Sequence, residues 1–286
     1  MSQDFDPARY FRRIGYTGPR EATLDVLRAV HSLHPLAIPF ENIDPIRGKA
    51  VHVDLPSVVA KLVDGERGGY CFEQNALFAS ALKYLGFDVT PLIGRVCWGR
   101  TFEAEAPLTH MLLRIELDGE SWLADVGFGS VTLTAPLRLN ASGEQATPLE
   151  IFNLTPVPVG DGHTVGEYRL SVKSAQTWLP TYRFAPRPAE WIDYKLGNWY
   201  TSSAPDSIFT NHLMACRVLP QGRLALLDTK LVERGPKGDV IAETKIGSAS
   251  QLADALAGRF GLNLTDVDTD ELFARALAGA AKTVQR

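Results

Sequence analysis

Cysteine is scarce in this chain: Cys71, Cys97 and Cys216 are the only thiols in 286 residues. Three scattered cysteines cannot build a disulfide framework, so a reducing, cytoplasmic setting is expected. Long apolar runs are also missing. No stretch approaches the roughly 18 consecutive apolar residues of a membrane span, and the opening segment MSQDFDPARYFRRIG lacks a signal peptide's apolar run. Excess positive charge is absent too. A net charge of −4 leaves no basic footprint for nucleic acid. Several motifs are lacking as well. There is no Walker-type phosphate loop and no Gly-x-Ser-x-Gly elbow, and VGFGSV follows a strand-like run without the third glycine or the helix of a dinucleotide site. None of the six histidines, His31, His34, His52, His110, His163 and His212, stands at a zinc-ligand spacing, so no metal site is expected. A thiol is left as the best candidate nucleophile.

What is present divides the chain into three regions, expected to pack as one body: a helical bundle over 1–86, a β-rich part over 87–190 and a mixed α/β part over 191–286. In the first region, Asp6-Pro7 reads as a cap followed by a first helical residue. Leu24, Leu27, Val30 and Leu33 recur at helical spacing, and Asp54 and Gly65 bracket another helix. The segment after Cys71 places Phe72, Ala76, Ala79, Leu82 and Leu85 on one stripe, with Gly86 as a left-handed stop.

From Phe87 to about Pro186 the period changes to two, and DVTPLIGRVCW, HMLLRIEL, SWLADVGF, PLRLN, EYRLSVK and TWLPTYRF read as strands of an antiparallel sheet or small barrel. Ser142 to Gly162 is turn-rich and is assigned no element. In the last region AEWIDYKLGNWYTSS reads as a helix, HLMACRVLP and RLALLDTKLVE as a hairpin, DVIAETKIG as a third strand, and two helices close the chain.

Cys71 opens a helix, where the positive end of the helix dipole favours a thiolate, although Glu73 works against it. Gly68 and Gly69 allow a tight turn and a close approach to a ligand. A base is also needed. Asp118-Gly119 between two alternating runs signals a two-residue type I′ hairpin. That turn pairs Leu117 with Glu120, Ile115 with Trp122, Leu113 with Ala124 and Met111 with Val126, all on one face. On the other face His110 opposes Gly127 and Leu112 opposes Asp125, which makes His110 and Asp125 diagonal neighbours and leaves the glycine side open. Nucleophile, base and orienting carboxylate then have candidates in Cys71, His110 and Asp125.

Each also has a plainer reading. For Cys71 it is a buried small hydrophobe, for His110 a satisfied polar residue, and for Asp125 the cap of a turn or a partner of Arg114 or Arg95. Cys97 and Cys216 read as structural, and His31 and His34 as companions of a helix's negative pole. IPFENID is an extended segment with Glu41-Asn42 as polar handles. If the triad is real, papain-type hydrolysis and transglutaminase-like transfer remain alternatives to other acyl chemistry; if it is silent, the cleft belongs to a ligand-binding module.

Taken jointly, RGGYCFEQN, THMLLRIEL, LADVGFG and IPFENID resemble the bacterial arylamine N-acetyltransferase family, from the N-terminal helices to about Phe209. The resemblance implies an α+β fold: an N-terminal helical bundle, a central antiparallel β-barrel and a C-terminal α/β lid around a cysteine-protease-like Cys-His-Asp core. It places the triad on Cys71, His110 and Asp125. It implies ping-pong transfer of an acetyl group from acetyl-coenzyme A, the co-substrate, to an arylamine or hydrazine. It further implies Phe40 and Phe128 as aromatic walls, Thr109 and Gly127 beside the cleft, and Phe209 where the lid meets donor or acceptor.

Overall fold

Asp6 caps the first helix through its carboxylate and the Ala8 N–H, as its place before Pro7 leads one to expect. The structure, a computed structural model, describes residues 5–284 except 161, 163 and 237, so His163 lies outside the described residues. After α1 (Pro7–Ile14) come α2 (Leu24–Ala37), the two-residue strand β1 (Phe40–Glu41), the single turn α3 (Ile43–Ile46) and α4 (Leu55–Val59). A π turn carries α4 on to Asp64, and Gly65 stops it. The helix α5 (Cys71–Tyr84) follows, with Gly86 in the left-handed conformation just past its end. This helix is buried nearly all round, not along one stripe. Cys71, Gln74, Asn75, Leu77 and Phe78 are as deeply buried as Phe72 and Leu82.

The barrel strands are β2 (Asp88–Val96), β3 (Leu108–Leu117), β4 (Glu120–Ala124), β5 (Leu137–Arg138), β6 (Glu144–Ala146), β7 (Ile151–Val159), β8 (Thr164–Ser174) and β9 (Thr177–Phe184). They form one antiparallel, nearly closed sheet in the order β5-β4-β3-β2-β9-β8-β7-β6. Strands β6 and β7 occupy the stretch that sequence left unassigned. Pro156 and Pro158 weaken the strand signal of β7, yet Phe152 and Leu154 alternate into the barrel core. The Asp118-Gly119 turn has positive φ at both residues, as type I′ requires. The β3–β4 ladder holds the expected register from Leu117↔Glu120 to Leu113↔Ala124 and ends there.

Beyond the barrel lie α6 (Trp191–Ser203), α7 (Ile208–Asn211), β10 (Met214–Leu219), β11 (Gly222–Leu227), β12 (Lys230–Arg234), β13 (Val240–Lys245), α8 (Ala249–Asp254) and α9 (Thr269–Val284). RLALLDTKLVE is two strands rather than one, because Asp228 turns the chain at positive φ. Strands β10 to β13 form a second sheet, which β1 extends: Phe40 lies opposite Cys216. The N-terminal and C-terminal parts are therefore hydrogen-bonded through a two-residue strand that no sequence period could reveal.

Candidate active site

Cys71 sits at the first turn of α5 with its side chain almost covered, at 4% exposure. Its Sγ donates to the Thr109 carbonyl at 3.4 Å. Thr109 is the residue that the β2–β3 ladder skips, where Arg95 pairs with Leu108 immediately after Gly94 pairs with His110. That bulge turns the edge of β3 toward the helix. His110, on the barrel's inner face, holds Asp125 Oδ2 through Nε2 at 2.8 Å, and the Cys71 side chain lies near enough to influence the charge of the ring. The structure thus brings Cys71, His110 and Asp125 together at one place in the fold.

Asp125 arrives there by another route than a sheet diagonal. The chain leaves the ladder after Ala124, so the expected pairs Leu112–Asp125, Met111–Val126 and His110–Gly127 do not form. The freed backbone groups are held from the helices instead. The Asp125 N–H donates to His31 Nε2 at 3.2 Å, and the Val126 N–H donates to Asn75 Oδ1 at 3.1 Å. Asn75 Nδ2 donates to both the Met111 carbonyl, at 2.7 Å, and Asp125 Oδ1, at 2.9 Å. The Gly127 N–H reaches the same carboxylate oxygen at 3.0 Å. Gly127 leaves no open side: a Cβ there would stand 2.8 Å from the Cys71 Cα, so the glycine is where α5 closes on the loop.

Electrostatics follow from these contacts. Burial opposes charge on His110, but the Asp125 carboxylate and the Cys71 thiol outweigh it and raise its pKa to about 10. Burial likewise opposes charge on Asp125, yet His110, Asn75 and the Gly127 N–H hold its carboxyl below the usual range. Glu73 does not leave an uncompensated charge beside the thiol. Its carboxylate accepts the Tyr70 N–H at 3.1 Å and meets Lys61 Nζ at 2.8 Å. Gly68 and Gly69 approach the Pro39 carbonyl and the Glu73 side chain, not an open ligand site.

His31 and His34 do more than face a helix end. His34 joins the Tyr10 hydroxyl, at 2.9 Å, to Gln74 Oε1, at 2.6 Å, one turn from Cys71. Both rings are fully buried and held neutral by that burial, at about 4 for His31 and about 3 for His34. In the unfolded chain each would take a proton near its ordinary value, so below about pH 6.5 the unfolded state binds more protons and stability falls toward those lower values. Together they are worth roughly 3 kcal/mol per pH unit across that window. Thermal melts at pH 7 and pH 5.5 should differ by about 5 °C or more; equal melting temperatures would overturn the assignment of both rings as neutral.

The aromatic residues fall into two groups. Phe128 stands edge-on to His110, with centroids 5.2 Å apart, and also meets Trp98 and Tyr182. Phe209 packs on Phe40 at 6.0 Å and on Tyr70 at 5.3 Å. Asn42, the handle of unknown use in IPFENID, holds the Phe209 segment: its Nδ2 donates to the Phe209 and His212 carbonyls and its Oδ1 accepts the Met214 N–H. Glu41 is buried against Arg67 at 2.8 Å. Asn75 was not singled out from sequence, and His31 and Asn42 were read there only as a residue near a helix end and as a polar handle. Only Asn75, one helical turn after Cys71, carried a positional hint.

A family model described as N-acetyltransferase matches residues 23–269, most of the chain. The chain belongs to the arylamine N-acetyltransferase family. The arylamine N-acetyltransferase of Escherichia coli is 38% identical, covering 90% of this chain and 89% of that one. That of Mycolicibacterium smegmatis is also 38% identical, over 94% and 96%. A solved structure of Mycobacterium marinum arylamine N-acetyltransferase in complex with CoA superposes with a TM-score of 0.88 at 36% identity, covering 95% of this chain and 98% of that chain. The arylamine N-acetyltransferase fold, an antiparallel barrel with helices on an α+β plan, is the one observed here. Among the described residues, no group of His, Cys, Asp and Glu is arranged to hold a metal ion, and no helix is long and apolar enough to cross a membrane.

Proposed function

We propose that this acyltransferase carries an acetyl group from acetyl-coenzyme A to an arylamine or hydrazine through a thioester on Cys71, in ping-pong order. The observation that carries this reading is the buried His110–Asp125 pair at 2.8 Å beside Cys71, in which the imidazole is raised to about 10 chiefly by the Asp125 carboxylate. In the reacting form the thiol proton leaves the Thr109 carbonyl and passes to His110, whose raised proton affinity favours holding it. The sulfur attacks the acetyl carbon, the bond from that carbon to the sulfur of coenzyme A breaks, and the departing thiolate takes the proton from His110. The intermediate is a thioester like the donor, so little free energy is lost at the half-way point. An amine then attacks the acetyl carbon, His110 accepts the amine's proton, and the Cys71 sulfur leaves. Asp125 keeps Nε2 of His110 engaged throughout, so Nδ1 is the ring nitrogen left to exchange the proton.

In this reading residues 1–86 supply the nucleophile, 87–190 the base and its carboxylate, and 191–286 the lid that carries Phe209. Phe40, Phe128 and Phe209 form apolar walls for a flat amine, with Thr109 and Gly127 beside the sulfur; these walls keep water from the thioester. Three free cysteines suit the reducing cytoplasm, where the enzyme is placed. Intact-protein mass after brief exposure to acetyl-coenzyme A without acceptor tests the reading. The expected result is a gain of one acetyl group that disappears on adding an aromatic amine. No gain with reduced thiols would overturn it.

A further inference from the structure

The loop after β4 carries Phe128, and its two ends are held from different parts of the molecule. Near Asp125 the hold comes from the helices, through His31 and Asn75. Farther on, the loop folds back on itself. The Gly129 N–H donates to Thr132 Oγ1 at 2.6 Å, and the Thr132 N–H donates to the Gly129 carbonyl at 3.2 Å. This far end is held from the C-terminal sheet. Arg223 of β11 donates through Nη2 to the Thr132 carbonyl at 2.6 Å. Through Nε and Nη2 it also donates to the two carboxylate oxygens of Glu150, at 2.5 and 2.6 Å. Glu150 stands just before β7, so one guanidinium joins sheet, barrel and loop.

Strand alternation puts Arg223 there. Leu224 and Leu226 turn into the core beneath the C-terminal helices, which sends Arg223 and Ala225 to the opposite face of the sheet. Ala225 lies opposite Cys216, and Cys216 opposite Phe40, so Arg223 and Phe40 share that face. Gly129, at positive φ, lies against the Phe40 ring: a Cβ there would stand 3.4 Å from it. The loop is therefore set between the sheet face that bears Phe40 and Arg223 and the barrel wall that bears His110. The side chains of Arg223 and Glu150 are only 5% and 8% exposed, and Arg223 Nη1 is buried with no hydrogen-bond partner among the described residues. A buried ion pair adds little net stability over an apolar pair, because both ions have lost water, and an unpaired donor subtracts from it. What the guanidinium fork adds is direction, since it fixes the Thr132 carbonyl relative to the sheet.

We propose that Arg223 is a positioning residue for the amine acceptor: with Glu150 it fixes the Thr132 end of the loop and so sets the spacing between Phe128 on the loop and Phe40 on the sheet. A flat amine has to fit between these two walls. This rests on the acetyl-transfer reading above. The Asp125 end of the loop is held independently by Asn75 and His31, so loosening the far end leaves His110 and Asp125 paired. The acetyl group is small and arrives on a flexible arm, whereas the amine's ring depends on the walls for its orientation. The effect of Arg223 therefore falls on the second half-reaction.

The test separates the two half-reactions in the native enzyme, in Arg223→Lys, and in the double variant Arg223→Met with Glu150→Leu, which removes both charges and leaves neither buried alone. In the double variant KM for an arylamine should rise about tenfold, while the rate at which Cys71 takes up acetyl from acetyl-coenzyme A without amine stays within about twofold. Arg223→Lys keeps a charge beside Glu150 but replaces the fork by one ammonium, and should show part of the same rise. An unchanged amine KM in the folded double variant overturns the inference. So does an equal loss in both half-reactions, which is the mark of a merely structural ion pair. Where the double variant fails to fold, Arg223→Lys decides alone, and an unchanged amine KM there is equally fatal. A native enzyme whose Cys71 takes up no acetyl group overturns the acetyl-transfer reading and this inference with it, whereas native acetylation with an indifferent double variant sinks the positioning role alone.

Discussion

Cys71→Ser should lower acetyl transfer from acetyl-coenzyme A to an arylamine by roughly 10⁴-fold or more, a loss typical of removing a covalent nucleophile. Hydroxyl and thiol are close in size, and Cys71 is in contact with the Thr109 carbonyl, which a hydroxyl can also reach as donor. The fold should therefore survive, and unchanged melting would show it. Chemistry does not survive, because an alcohol gives up its proton far less readily than a thiol and is a weak nucleophile unless it does. Steady-state rates with matched enzyme concentrations check the point. Retention of more than a tenth of native turnover in a correctly folded Cys71→Ser would exclude a thioester on this residue.

Asp125→Asn should cost about 10³- to 10⁴-fold in kcat/KM, for a reason legible in the hydrogen bonds. Asp125 Oδ1 accepts two N–H donors, from Asn75 and Gly127, so the amide oxygen of asparagine must stay on that side. The amide nitrogen is then forced toward His110 Nε2, which Asp125 Oδ2 now meets at 2.8 Å. A donor facing Nε2 requires that nitrogen unprotonated, so the imidazolium is lost along with the charge that held it. In the native enzyme the raised His110 stays charged through neutral pH, and acylation should remain level from about pH 7 to 9 and fall as pH rises through about 10. The same sign governs stability. The contribution of the His110 pairing is complete below the ordinary histidine range and is lost on the way up to about pH 10. In Asp125→Asn the alkaline limb should move down by at least two pH units. A pH–rate profile that coincides with the native one would show that Asp125 does not set the state of His110.

How legible this was varies by element, for physical reasons. Local rules were enough for Asp6-Pro7, for the Asp118-Gly119 turn and for Gly86, because capping and left-handed turns depend on adjacent residues alone. They failed at β7, where two prolines obscure a strand that the barrel nevertheless pairs, and at Asp228, whose turn divides what alternation reads as one strand. Hairpin register brought His110 and Asp125 close on paper, yet the ladder ends at Ala124 and the contact is made by a loop. The sequence expectation reached the right neighbours through the wrong geometry, because the loop's N–H groups are taken by His31 and Asn75 from helices far along the chain.

By itself, the sequence determined the helical start, the β-rich middle, the placement of a lone cysteine at a helix entrance and the motifs that resemble a known family. These depend on periodicity and on residues a few positions apart. Only the tertiary structure decided that α5 packs its Cys71 against the β3 bulge, that Gly127 is a contact and not an opening, and that Asn42 binds the Phe209 segment to the N-terminal part. It alone brought Arg223 to the Thr132 carbonyl. Such contacts join residues tens to hundreds of positions apart, and their free energy comes from burial and from pairing polar groups that have lost water. That requirement becomes definite only when the chain has closed on itself.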